Sequence, residues 1–84
     1  MNPQQPTLSR ELALVRVVAE QQDEARLENA LSLVGAWSAR LIELREGHFT
    51  AEISATPERL SKFLAALAEF GQVTAVRSGA VTLS

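Results

Sequence analysis

With 84 residues, 46% of them hydrophobic and 21% charged, the chain is long enough for one small domain and too apolar for disorder. It has no cysteine, which excludes a disulfide framework and a thiolate metal site, and its net charge of −2 supplies no electrostatic motive for nucleic-acid binding. A domain of this size buries only about 60% of the surface of its unfolded chain, so marginal stability or self-association is expected.

Met1 to Thr7 carries two prolines, two glutamines and an asparagine with almost nothing to bury, and reads as a disordered leader before a single domain over 8–84. It is unlike a signal peptide, and no apolar run approaches the ~20 residues that span a bilayer, so no membrane partner and a cytoplasmic location are expected. Glu11 to Ala19 is β-branched and leucine-rich without a breaker, as in a strand covered on both faces. Alternation puts Ala13, Val15 and Val17 on one side and Leu12, Leu14, Arg16 and Val18 on the other. Glu20 to Asp23 is a polar link, with Asp23 as N-cap of a helix whose apolar positions are Leu27, Ala30, Leu31, Val34 and Trp37, fraying at Gly35. Ala39 to Arg45 and His48 to Ala55 flank Glu46-Gly47, a hairpin signal. In the second arm Phe49, Ala51 and Ile53 share one face while His48, Thr50, Glu52 and Ser54 share the other.

Thr56 to Gly71 carries the clearest helix signal. Thr56 can cap the first turn, Pro57 suits the first helical position, and Glu58 stands at the positive end of the dipole. Leu60, Phe63, Leu64, Leu67 and Phe70 form one apolar face, and Gly71 is expected to end the helix in the left-handed conformation. A last strand, Val73 to Leu83, is interrupted at Gly79, where a bulge or bend is expected. The order β-α-β-β-α-β with right-handed crossovers sets the first and third strands at the centre of a four-stranded antiparallel sheet, with both helices on one face: an α+β, ferredoxin-like sandwich.

Little in the chain looks like catalytic machinery. His48 is the only histidine, so a metal site would need Glu46 and Glu52 beside it, and a solvated hairpin residue is the simpler reading. Glu11, Glu43 and Glu52 have no adjacent nucleophile, and the scattered glycines cradle no phosphate, so neither a catalytic residue nor a cofactor is expected. Arg77-Ser78-Gly79 is the most suggestive polar group, because an arginine beside a backbone bend can hold a carboxylate. The plainer alternative is an Arg–Glu pair across the sheet. Leu12, Leu14, Arg16 and Val18 make an apolar sheet face with one embedded charge, and with Trp37 they are the candidate interface of a homodimer.

Several stretches resemble the C-terminal domain of the small, regulatory subunit of acetolactate synthase. R-E-L-A-L-V-R-V (Arg10 to Val17) is similar to the family's R-E-L-A-L-I-K-V, and W-S-A-R-L-I-E-L (Trp37 to Leu44) to its F-x-A-x-V-V-D-V. Phe70-Gly71 followed by Val76-Arg77-Ser78-Gly79-Ala80-Val81 resembles F-G-I and then V-x-R-T-G-A-V at the same spacing. Ala55, Gln72, Thr74 and Glu43 depart from the family's glycine, isoleucine, glutamate and aspartate. The resemblance implies an ACT-like fold and a non-catalytic regulatory or assembly role in branched-chain amino-acid synthesis, with the catalytic subunit as partner. Family members also carry an N-terminal ACT domain whose glycine-containing loop binds valine. Nothing in this sequence matches that loop, so valine binding is not expected. The rival reading is a free-standing ACT-like dimer that senses an amino acid or other small carboxylate near Arg77 to Gly79.

Overall fold

The computed structural model describes residues 8–19 and 24–83; the leader, the polar link and its Asp23 cap lie outside the described residues. The elements are β1 (Leu8–Ala19), α1 (Glu24–Ala36), β2 (Arg40–Arg45), β3 (His48–Ala55), α2 (Pro57–Leu67), β4 (Gly71–Arg77) and β5 (Val81–Leu83). All pairings are antiparallel in the order β2-β3-β1-β4, and β5 continues beyond β4 along β1. The expected last strand is therefore two strands, and the sheet has five strands where four were expected. The ferredoxin-like arrangement is otherwise the one read from the sequence.

The break has a local cause. Ala13 faces Arg77, but Arg10 faces Val81, so two residues of β1 are matched against three of the other chain segment. Gly79 absorbs the extra residue at φ +83°, in the left-handed region that a side chain disfavours. Ser78 bridges the gap: its N–H donates to the Leu12 carbonyl at 2.9 Å, and its Oγ accepts from the Leu12 N–H at 3.0 Å.

One face of the sheet holds the core. Val15, Val17, Phe49, Ala51 and Ile53 pack beneath Leu60, Phe63 and Leu67 of α2 and Ala30 and Val34 of α1. β1 was expected to be covered on both faces; within the chain only one is, because both helices lie on the Val15 side and Leu12, Leu14 and Val18 stay exposed. The α2 start follows the sequence, with Thr56 Oγ1 accepting from the Arg59 N–H at 3.3 Å and Pro57 in the first turn. Its end does not. The helix stops at Leu67, and a tight turn closes with the Phe70 N–H on the Leu67 carbonyl. Gly71 is not a left-handed cap but the first residue of β4, where a Cβ would stand 2.1 Å from the Val18 carbonyl oxygen.

Helix α1 also runs past its expected fraying point at Gly35. The Ala39 N–H bonds the Val34 carbonyl and the Ser38 N–H bonds that of Gly35, the double closure of a Schellman motif. The left-handed position belongs to Ser38, at φ 59°. The β2–β3 hairpin turns on Glu46-Gly47 as expected, with Gly47 at φ 87°, and Ile42 is the extra residue of a bulge in β2.

Candidate functional site

Alternation along β4 sends Arg77 to the helix side, opposite Ala13, where Glu11 of β1 is its diagonal neighbour. The Arg77 guanidinium makes a two-pronged contact with the Glu11 carboxylate, Nε to Oε1 at 2.8 Å and Nη2 to Oε2 at 2.9 Å. Its Nη1 also donates to Ser61 Oγ at 3.3 Å, and Nη2 to the Pro57 carbonyl at 3.4 Å. One side chain thus ties β4, β1 and the first turn of α2 together. Arg77's hydrogen bonds hold the Glu11 carboxyl below its ordinary value against the opposing effect of burial, and a bond from the Gly79 backbone acts in the same direction. The bond to Glu11 raises Arg77 in return. Ser78 is engaged at the bulge, its Oγ donating to the Gly79 carbonyl at 2.9 Å. Arg77, Ser78 and Gly79 are together, as expected, but their polar groups face the protein's own atoms.

The outer, helix-free face gathers the other candidates. Leu12, Leu14, Arg16 and Val18 project from β1, and the strand register places Val76 beside Leu14, Val81 beside Arg10 and Leu83 beside Leu8. Val76, Val81 and Leu83 are 70%, 73% and 68% exposed, so the apolar stripe is longer than its β1 members. Sequence reasoning missed these three because their strand mates depend on the bulge at Gly79; the signal was the apolar alternation of Val76 and Val81 on either side of the glycine. Trp37 is not part of this face. It lies at the end of α1 on the helix side, its ring 5.6 Å from Phe63 and beneath the Arg59 guanidinium at 4.9 Å. The spacing that put it on the apolar face of α1 carried it toward the core.

On the β2–β3 half of the outer face Glu43 is the hub. Its carboxylate lies 3.2 Å from Arg45, 3.9 Å from Arg16 and 3.8 Å from His48, and Arg16 Nε donates to Thr50 Oγ1 at 3.3 Å. Glu52 stands across from Arg40. Glu11 is on the opposite face of the sheet, so the three carboxylates do not converge. No group of three or more metal-ligating side chains occurs among the described residues. A separate groove of 560 Å³ opens between α1 and the hairpin, floored by Val17, Ala30, Leu44 and Phe49.

Residues 10–84 match the family model described as the small subunit of acetolactate synthase. The chain belongs to that family. It is 31% identical over 78 residues to the acetolactate synthase small subunit of Mycolicibacterium smegmatis, across 93% of this chain and 44% of the relative. Among solved structures it is similar to the acetolactate synthase small subunit of Thermotoga maritima, with a TM-score of 0.77 at 23% identity over 98% of this chain and 49% of that one. A putative C-terminal regulatory domain of aspartate kinase from Porphyromonas gingivalis shares the fold, with a TM-score of 0.64 at 11% identity over 92% of this chain and 58% of that one. The chain thus spans about half the length of the small subunits it resembles.

Proposed function

We propose that this chain is a non-catalytic regulatory or assembly domain that associates with the acetolactate synthase catalytic subunit in the cytoplasm and also with a second copy of itself. The family match over residues 10–84 carries the reading. The outer apolar stripe supports action through protein surfaces, since patches of this kind mark interaction sites. The rival, an amino-acid sensor at Arg77 to Gly79, is less well supported: the Arg77 donors that would hold a carboxylate are already on Glu11, Ser61 and Pro57.

The test is to mix the full chain with the catalytic subunit from the same genome, then follow co-elution and turnover. Association with altered turnover, and no activity of the chain alone, is the expected outcome. Failure to co-elute at tens of micromolar with unchanged turnover would leave a likeness of sequence and fold without the function. Calorimetry with valine, leucine and isoleucine should show no binding; millimolar or tighter binding would favour the sensor.

A further inference from the structure

The sheet ends at β2, which pairs with β3 on one side and, among the described residues, with no strand on the other. In an antiparallel ladder about half of an edge strand's backbone groups point away from its one neighbour, so β2 offers unpaired N–H and C=O groups along six residues. Its side chains divide by face. Leu41 stands across from Ala51 and Leu44 from Phe49, which puts both on the helix side. Neither helix covers them: they are 41% and 49% exposed, and Ile42 at the bulge is 46% exposed. Leu44 also borders the groove between α1 and the hairpin. Arg40, Glu43 and Arg45 stand across from Glu52, Thr50 and His48, on the outer side.

Charge on that outer side is unbalanced. Arg16, Arg40 and Arg45 are set against Glu43 and Glu52, and Glu43 alone faces Arg16, Arg45 and His48, while Glu46 lies past the strand in the turn. Two β2 strands pairing antiparallel about their midpoint would set Arg40 against the partner copy's Arg45 at both ends, and like charges directly opposite destabilise. The arginines and the bulge thus bar a second copy, a common protection of edge strands. They do not bar carboxylates. The opposite edge, β4, carries Gln72, Thr74 and Val76 on its outer side and has no charge with which to choose.

We propose that β2 is a docking edge for an extended segment of another protein, as long as β2 itself, with carboxylates beside Arg40 and Arg45 and aliphatic side chains against Leu41 and Leu44. In this mode main-chain hydrogen bonds supply the affinity and the alternate side chains the selectivity. The aliphatic side chain beside Leu44 stands at the mouth of the groove, over an apolar floor that includes Val17, Ala30 and Phe49. The inference goes beyond the reading above and does not depend on which chain supplies the strand.

The probes are two end-blocked, fluorescein-labelled octapeptides, one alternating valine with glutamate and the other valine with lysine, titrated against the full chain by anisotropy. The glutamate peptide should bind at least about tenfold more tightly than the lysine peptide, and the double variant Arg40→Glu, Arg45→Glu should reverse that preference. Amide hydrogen exchange then locates the complex: the glutamate peptide should protect β2 amides and leave those of β4 unchanged. If circular dichroism shows the double variant unfolded, the peptide comparison and the exchange map on the wild type carry the test. Equal affinity for the two peptides, no binding up to millimolar concentration, or protection on β4 instead of β2 would overturn the proposal. So would β2 amides that become protected in the free protein as its concentration rises, since a second copy would then hold the edge. Co-elution with the catalytic subunit is measured separately, and its failure would leave a peptide-binding β2 edge standing.

Discussion

The two faces of β1 carry similar residues and have opposite fates. Ala13, Val15 and Val17 are 1%, 0% and 2% exposed, whereas Leu12, Leu14 and Val18, each one residue away, are 46%, 46% and 45% exposed. Valine occurs on both sides, so residue type does not decide which side is buried. What decides it is that both crossovers put their helices on one face. Stability of the single chain is therefore concentrated on the helix-covered side, and the outer side is left available for association.

The largest effect should come from the centre of the covered face. Phe63 is fully buried, and Phe63→Ala should destabilise by about 3 to 5 kcal/mol in urea unfolding. A loss below about 1 kcal/mol would mean that α2 does not anchor the core. Next comes Gly71→Ala, expected to cost about 1 to 3 kcal/mol, because the new methyl would meet the Val18 carbonyl and neither backbone can yield without parting β4 from β1. A neutral result would show that the strands can separate locally at this end.

Acid should act on the covered face as well, through Glu11. Its folded pKa lies below the ordinary 4.5, so its contribution to stability is complete above that value and is lost as pH falls through the depressed one. Glu11→Gln should lower the melting temperature at pH 7 and flatten the decline of stability below pH 4.5. An acid profile unchanged by the substitution would show that another carboxylate governs it. Ser38→Gly should work in the other direction, stabilising by about 1 kcal/mol, since serine holds the left-handed position at which glycine carries no Cβ penalty.

Much of this architecture was legible from local signals. The Thr56-Pro57 start of α2, the Glu46-Gly47 hairpin and the alternation of β1 are written in adjacent residues whose preferences agree with the fold. The errors occurred where a residue's role depends on something distant. Gly71 looks like a helix terminator in sequence, but its lack of a Cβ serves the close approach of Val18, a residue distant in the chain. Ser38 lacked the glycine signature of the left-handed position that it occupies. Arg77 was not among them: the sequence left open a carboxylate site or an Arg–Glu pair across the sheet, and the bonds to Glu11 are those of the pair. The outer stripe was half legible, through Leu12, Leu14 and Val18, and its β4–β5 half appears only once the bulge sets the register.

The smallest effect gives the cleanest comparison of the two faces, because one substitution can be made on each. Val15 and Val76 are both strand valines bordering the same β1–β4 ladder, Val15 at 0% exposure on the covered face and Val76 at 70% on the outer one. Valine and threonine have nearly the same shape and strand preference, so Val→Thr changes little except the exchange of a methyl for a hydroxyl. At position 15 that hydroxyl enters an apolar core, and Val15→Thr should destabilise by about 1 to 3 kcal/mol. At position 76 the hydroxyl meets water, and Val76→Thr should stay within about 0.5 kcal/mol when unfolding is followed at a concentration low enough to dissociate any dimer. Under the proposed self-association through the sheet, the Val76→Thr deficit should grow as the concentration is raised while that of Val15→Thr stays fixed. Equal losses at both positions in dilute solution would mean that the outer face is covered within the single chain, and the contrast between the two sides of β1 would fail.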